Sequence, residues 1–465
     1  MENIWDYSFA DNSVWGWIIL FAVLLGSLLA ANTLKKYVPI LKRALIPTSV
    51  LGGAIVLVVA TIFKVITGDI MFDTAIFNGN GTKNLEIITY HALALGFIAS
   101  SFKTTGTKLD KKRTGEIFNS GVTTVATYLL QGVFGLGITI IATFIIADFF
   151  AAAGVLLPFG YGQGTGQALN YGMIYESLGF NGGKSFGLTL AALGFISASF
   201  GGVIHLNIMK KLGKLKTSRR TDGSVTTEEL EGKHEIPMQA SIDKITVQMS
   251  LILVAYAVTF FIMIGVSKLA PGLQSIIFGF NFIIGVLTAT IFKFILKFFF
   301  KHKIINHKYT NNFLLTRISN FFFDLMVISG IAAIRLSILE SYWGLILILG
   351  IVGAVVTYIY TRIIAKTLFG EYVEEQFLTM YGMLTGTAST GVILLREIDR
   401  DFKTPASDNM VFQNFVAIVF GFPIMFLANL APQKPVLTLV LFVVLFIALN
   451  IILFRSKIFK KRHKK

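Results

Sequence analysis

Residues 161–168 read YGQGTGQA, and residues 381–388 read YGMLTGTA. Both octapeptides follow the pattern Y-G-x-x-T-G-x-A without a gap, and both stand inside strongly apolar sequence. The matching residues are Tyr161, Gly162, Thr165, Gly166 and Ala168 in the first copy and Tyr381, Gly382, Thr385, Gly386 and Ala388 in the second. A repeat of this kind, about half the chain apart, indicates a fold built from two related halves.

The composition around the octapeptides is that of an integral membrane protein. Of the 465 residues, 54% are hydrophobic and 14% are charged, whereas soluble domains have about 25% charged residues. The mean hydropathy is +0.72. Continuous apolar runs such as IILFAVLLGSLLAA at 18–31 predict transmembrane helices, because strands of a membrane β-barrel would show alternating hydrophobicity. We therefore expect an all-α polytopic membrane protein.

Eleven apolar runs are long enough to cross a bilayer. They are residues 14–34, 44–66, 85–102, 117–147, 185–209, 247–267, 274–296, 316–339, 343–364, 409–430 and 436–455. Two further stretches, about 150–174 and 376–395, are less hydrophobic and contain the octapeptides. Their glycine and threonine content predicts interrupted helices.

The distribution of lysine and arginine predicts the path of these two stretches. If each returns to the side from which it came, all the strongly basic loops lie on one side, as cytoplasmic loops do. If both crossed, the basic linker 210–245 and the loop 297–308 would move outside. We therefore expect re-entrant segments, the first entered from outside and the second from inside. The expected location is the inner (plasma) membrane of the cell. In this orientation the N-terminus lies outside and the C-terminus lies in the cytoplasm.

Each half then contains five spans and one re-entrant segment. Because five is odd, the second half is inverted relative to the first. The predicted divisions are a first repeat at 1–209, a cytoplasmic linker at 210–245, a second repeat at 246–430, and an extra span with a basic tail at 436–465. Inverted repeats with broken helices are typical of secondary transporters that work by alternating access.

The residues around the octapeptides are the best candidates for a substrate or ion site. Unwound backbone exposes carbonyl groups, hydroxyls and amides add polar atoms, and half-helix ends attract ions. The candidates are Gln163, Gly164, Thr165, Gly166, Gln167, Asn170, Thr385, Gly386, Thr387, Ser389 and Thr390, with sodium expected at Thr165, Thr387, Ser389 and Thr390. The alternative is that the glycines serve only close helix packing.

Ionisable residues within spans are also site candidates. Asp324 lies inside the predicted span 316–339, where it would serve as a cation ligand, a proton carrier or a partner of an arginine. Arg335 lies near the end of the same span. Two interpretations of Arg335 stay open: pairing with a substrate carboxylate, or extension toward the outer interface.

Several function classes are disfavoured by the sequence. There is no HExxH, P-loop or G-x-S-x-G motif, so we expect neither an enzyme nor a cofactor other than a coupling ion. There is no cysteine. The formal charge of +16 lies in the loops and the tail between apolar runs, so it does not indicate nucleic-acid binding.

Four stretches resemble the glutamate:sodium symporters of bacteria. They are IPTSVLGG at 46–53, FGYGQGTGQA at 159–168, GLTLAALGFISASFGGVI at 187–204 and GMLTGTAST at 382–390. The resemblance implies two inverted five-span repeats with re-entrant hairpins, sodium-coupled glutamate transport by an elevator-like movement, and a homodimer. It places site residues at Gly164, Thr165 and Gly166 and at Gly386, Thr387, Ser389 and Thr390.

This chain departs from the family pattern in three respects. Gln163 stands where the family often has histidine, the acidic and basic run REIDRD follows the second octapeptide, and an eleventh span follows the core. The expected substrate is therefore glutamate or a related amino acid or carboxylate. Alternatives are coupling to protons through Asp324, transport of another organic anion, a channel, and a membrane scaffold or lipid-modifying enzyme.

Overall fold

The computed structural model describes residue 9 and residues 11–103, 111–213, 242–271, 274–399 and 404–455. Most of the predicted central linker and the basic tail from residue 456 lie outside these residues. Within them, the regular secondary structure is helical and contains no β-strand.

The helices include one long helix for each predicted apolar run, with ends that differ from the prediction by up to seven residues. In chain order they are α1 (Asn12–Tyr37), α2 (Pro39–Arg43), α3 (Thr48–Thr67), α4 (Gly81–Phe102), α5 (Lys111–Ala142), α6 (Leu156–Gln163), α7 (Thr165–Ser177), α8 (Gly183–Lys211), α9 (Lys244–Leu269), α10 (Gln274–Gly279), α11 (Asn281–Lys301), α12 (Asn312–Ala332), α13 (Trp343–Leu368), α14 (Val373–Thr385), α15 (Ala388–Arg396), α16 (Ala406–Leu430) and α17 (Pro435–Leu453). Short 3-10 segments occupy Met71–Asp73, Ala75–Phe77, Ala151–Val155 and Leu336–Tyr342.

Ten helices in the described part of the chain are long and apolar enough to span a membrane. An eleventh span results if α16 is counted, which is bent by 50° between Asn414 and Val416. Most of these helices also present large apolar side chains on the protein surface, as lipid contact requires. The prediction of an all-helical polytopic membrane protein is confirmed.

The helix is interrupted inside both octapeptide stretches. Helix α6 ends at Gln163 and α7 begins at Thr165, while α14 ends at Thr385 and α15 begins at Ala388. The same order, four long helices, a broken pair and another long helix, therefore occurs twice along the chain. The inversion of the halves and the side on which each broken pair begins remain predictions.

Contacts divide the chain into two compact units. One contains Met1–Glu86, Leu109–Ser218 and Val327–Lys465, and the other contains Ile87–Lys108 and Arg219–Met326. Each unit takes residues from both halves of the sequence. The smaller unit has a core of small and apolar side chains from α4, α9, α11 and α12: Ile98, Ala99, Phe102, Ile252, Ala255, Ala289 and Leu315.

Helices α5 and α8 are the long interior helices of the larger unit. Helix α5 has 32 residues, and many of its buried positions are glycine, serine or threonine. Small residues allow backbones to approach closely inside a membrane protein. A methyl group added at Gly135 would lie 2.2 Å from the carbonyl oxygen of Gly154, so the segment before α6 packs directly on α5.

Replacing Gly135 tests this close approach. We expect Gly135→Ala to lower the free energy of unfolding by about 1–3 kcal/mol, because the added methyl group forces the backbone of Gly154 away. The control is Gly137→Ala on the same helix, where no atom lies within 4 Å of the added methyl group. The unfolding midpoints of both variants are measured by thermal unfolding in the same detergent. Equal midpoints would contradict close packing between Gly135 and Gly154.

Candidate functional site

The first helix break depends on a glycine. Gly164 has φ 81° and ψ −171°, a backbone conformation that residues with a side chain rarely adopt. The break is covered by protein: Thr165 is fully buried and Gln167 and Asn170 are almost so. An unwound turn needs such cover if it lies inside the hydrocarbon layer, because backbone groups there must be satisfied internally.

The second break falls at a different position of the octapeptide. Here Gly386 and Thr387 are non-helical, whereas Leu384 corresponds to Gly164 and is helical. The first break uses a positive φ that suits glycine, and leucine at the equivalent position favours a later interruption. Thr385 and Thr390 are fully buried, and Ala388 is exposed at the start of α15.

The two breaks approach each other beside α8. A methyl group at Gly194 of α8 would lie 2.3 Å from the carbonyl oxygen of Thr385 and 3.2 Å from the ring of Tyr161. The Tyr161 hydroxyl donates to the carbonyl of Gly350 in α13, and the Tyr381 hydroxyl donates to the carbonyl of Ser197 in α8. Each octapeptide tyrosine therefore forms a hydrogen bond from its own broken helix to a neighbouring long helix, α13 or α8.

Gln131 of α5 is hydrogen bonded to the second broken helix and lies close to the first. Its amide nitrogen donates to the carbonyl of Leu384, at 2.9 Å, and to the hydroxyl of Thr357 in α13, at 2.8 Å. Its amide oxygen lies 3.2 Å from the position that a methyl group on Gly162 would occupy. One fully buried amide therefore contacts the first broken helix and is hydrogen bonded to the second.

Three buried polar atoms in this region have no hydrogen-bond partner among the described residues. They are the amide oxygen of Gln131 and both the oxygen and the nitrogen of the Gln167 side chain. Burying an amide without a partner costs about 1–3 kcal/mol, so such groups are rare and call for an explanation. A bound polar ligand or ion is able to supply the missing partners.

Hydroxyl and carbonyl oxygens stand near the same breaks. The hydroxyls of Thr387 and Thr390 lie 3.4 Å apart. The Thr385 hydroxyl instead donates within its helix to the carbonyl of Tyr381. Thr165 packs on α12, where a methyl group at Gly330 would lie 2.6 Å from its Cβ atom. Together these groups offer uncharged oxygen ligands and amide donors.

Two predicted site residues call for separate comment. Asp324 is assigned to the smaller compact unit. The expectation that Arg335 lies within a span is wrong, because α12 ends at Ala332. The Arg335 N–H donates to the Ser185 hydroxyl, at 3.1 Å, and not to the carbonyl four residues earlier as in a continuing helix.

Sequence reasoning missed Gln131 and Thr357. Gln131 stands in the apolar run TYLLQGVFG at 127–135, and a lone amide within a span is a signal that points to a functional or packing role. No feature of the sequence indicates its hydrogen bond to Leu384, which lies more than 250 residues later, beside the second break.

A charged cluster fixes the start of α14, the first arm of the second broken pair. Arg362 of α13 donates two hydrogen bonds to the Glu374 carboxylate, at 2.7 and 2.8 Å. His205 of α8 is buried, with its Nε2 atom 2.8 Å from the same carboxylate and its Nδ1 atom 2.8 Å from the Tyr358 hydroxyl. Burial alone would raise the pKa of Glu374, but the hydrogen bonds from His205 and Arg362 outweigh it and lower the pKa to about 2.

We expect Glu374→Gln to lower the free energy of unfolding by about 1–3 kcal/mol, because Arg362 then loses its charged partner. Since the folded-state pKa is below the ordinary value of 4.5, the contribution of Glu374 is complete above pH 4.5 and is lost as the pH falls toward 2. The wild-type unfolding midpoint should therefore drop more steeply than that of the variant over this range. Glu371→Gln is the control, because the Glu371–Lys112 pair is exposed and should contribute little.

Comparison with known proteins identifies no relative of this chain. The chain matches no model of a known protein family, and no curated protein sequence matches it. What the described residues provide is a buried polar region in which two interrupted helices meet beside α5 and α8.

Proposed function

We propose that this protein is a secondary active transporter that carries glutamate, or a related amino acid or carboxylate, together with sodium. It is expected to work by alternating access in the cell's inner membrane, as a homodimer. The observation that carries the proposal is the buried side chain of Gln167, next to a helix break, with neither amide atom hydrogen bonded within the described chain.

The number of unused polar atoms supports a bound solute. Gln167 offers one donor group and one acceptor, and Gln131 offers a further acceptor. A solute with both donors and acceptors, such as an amino acid, matches both kinds of group. Helix packing alone does not account for a buried amide without a hydrogen-bond partner among the described residues, because an apolar side chain of the same shape would be more stable there.

The two breaks support transport by alternating access over passage through a channel. Broken helices that occur once in each half of a chain, and meet, are typical of secondary transporters. Channels are typically built around rings of equivalent carbonyls or charges. The two breaks here differ in position and in side chains, as expected for a site that binds one solute asymmetrically.

Sodium fits the chemistry of the breaks. Alkali cations are bound by uncharged oxygens, and the region contains the carbonyls of interrupted helices and the hydroxyls of Thr387 and Thr390. Coupling to protons would instead need an ionisable group such as Asp324. We therefore place sodium coupling first and coupling to protons second.

Glutamate is the first choice of solute for two reasons. The N-terminal ends of α7 and α15 provide the positive end of a helix dipole, which favours a carboxylate. The sequence motifs at 159–168 and 382–390 also resemble those of the glutamate:sodium symporters. Another amino acid or organic anion is the alternative.

Replacing Gln167 separates a binding role from a structural one. We expect Gln167→Leu to keep or raise the unfolding midpoint, because it removes two unsatisfied buried atoms, and to lower uptake by about tenfold or more. The measurements are thermal unfolding and uptake of labelled glutamate into proteoliposomes. Gln433→Leu, at an exposed position, is the control. Full uptake by Gln167→Leu would contradict the proposed site.

Uptake under an inward sodium gradient, against matched potassium, tests the coupling ion. We expect uptake only with sodium, and a higher sodium concentration for half-maximal uptake in Thr165→Val and Thr387→Val, which keep the shape and lose the hydroxyl. Thr67→Val, at an exposed helix end, should behave like the wild type. Equal uptake in potassium would rule out sodium coupling.

A further inference from the structure

A second polar site lies within the larger compact unit, at the ends of α4, α7 and α8. A cavity of about 420 Å³ is lined there by Glu86, Glu176, Asn181, Lys184, Ser185 and Arg335, among others. Ligand sites for small molecules are typically of this size. The charge distribution along the chain predicts that these helix ends face the outside of the cell.

The cavity is distinct from the region of the two breaks. Helix α7 runs from Thr165, at the first break, to Glu176, at the cavity. Eleven residues of α-helix correspond to about 16 Å, which is longer than an amino acid. None of the residues at the two breaks lines the cavity. A solute held in the cavity is therefore not the solute held by Gln167.

One carboxylate of the cavity is only weakly paired. Lys184 Nζ lies 2.9 and 3.0 Å from the two carboxylate oxygens of Glu86, but 3.4 Å from Glu176 Oε2. The other oxygen of Glu176 accepts the backbone N–H of Lys184. Glu86 thus takes most of the lysine charge, and Glu176 Oε2 is left able to accept hydrogen bonds from a second cation.

The opposite charge is also incompletely paired. The Arg335 guanidinium lies 3.6 Å from Asp73 Oδ2, which is too long for a hydrogen bond. Its side chain is 40% exposed and lines the cavity. A guanidinium carries five donors in a planar fork that matches a carboxylate, so Arg335 is able to bind one from the cavity.

We propose that this cavity binds the zwitterionic head of an α-amino acid. Arg335 binds the carboxylate, and Glu176 accepts from the ammonium group. A dicarboxylate lacks the ammonium group that Glu176 needs, and a simple amine lacks the carboxylate that Arg335 needs. If the proposed function is correct, this amino acid is the transported solute, held at an outer site before it reaches the breaks. Binding of a zwitterion in the cavity does not depend on the proposed function.

The absence of cysteine from the chain allows the cavity to be probed locally. In Asn181→Cys, the rate of labelling by a membrane-impermeant maleimide reports access to the cavity. We expect L-glutamate to slow this labelling, while glutarate, which has no ammonium group, and ethylamine, which has no carboxylate, have little effect. Adding Arg335→Gln or Glu176→Gln should raise the glutamate concentration needed for half protection by about tenfold or more.

Matched controls make the outcome specific to the cavity. Glu340→Gln, an exposed carboxylate five residues from Arg335, should leave the protection unchanged, and labelling of Ser177→Cys, exposed outside the cavity, should not respond to glutamate. Ile338→Cys, which also lines the cavity, repeats the measurement at a second position. The proposal is overturned by no protection at either cavity position, by equal protection from all three compounds, or by full protection in Arg335→Gln.

The labelling experiment is independent of transport. Protection in a protein that takes up no glutamate would support the cavity site and count against the proposed transport of glutamate. Sodium-driven uptake without protection would support transport and overturn the cavity site.

Discussion

The need to satisfy every backbone hydrogen-bonding group away from water is the constraint on which this structure depends. A continuous helix meets it alone, and the ten long apolar helices do so. The two interrupted helices cannot, so protein or water must satisfy the polar groups of their unwound turns. Helix α8 covers these turns through Gly194, which lets the carbonyl of Thr385 and the ring of Tyr161 pack against its backbone. Helix α5 contributes through Gln131, whose amide donates to the carbonyl of Leu384 at the end of α14.

Enclosing the breaks also concentrates polar atoms in an apolar interior. Most of them are used structurally: the Thr385 hydroxyl bonds to its own helix, and the octapeptide tyrosines bond to α8 and α13. The amides of Gln131 and Gln167 retain atoms without a hydrogen-bond partner among the described residues, at a cost in stability, as do the side-chain oxygens of Asn281 and Asn409 elsewhere. Because the Gln131 and Gln167 amide atoms lie beside two helix breaks, a bound solute is well suited to provide the missing hydrogen-bond partners.

Charged groups lie at the ends of the helices that surround the breaks. Glu374 is held by Arg362 and His205, which ties the start of α14 to α13 and α8. Near the ends of α7 and α8, two basic and two acidic side chains line one cavity: Lys184, Arg335, Glu86 and Glu176. The two clusters differ in how completely their charged groups are hydrogen bonded. The Glu374 cluster has short hydrogen bonds on both sides of the carboxylate, as expected of a structural anchor. The cavity has long contacts at Arg335 and at Glu176, as expected of a place where a ligand completes the pairing.

The sequence by itself determined the class of fold, the helices and the stretches in which two of them are interrupted. These features follow from local properties: apolar runs long enough for the bilayer, and glycine and threonine where a helix is weakest. Tertiary structure alone decided which polar residues meet. Gln131 donates a hydrogen bond at the second break from a distant part of the chain, and Arg335 lies beyond the end of its helix, where its backbone N–H donates to Ser185. Such contacts depend on helix rotation, in which one residue corresponds to 100°, and on where each helix ends against its neighbours. Neither quantity is encoded in the local pattern of residues.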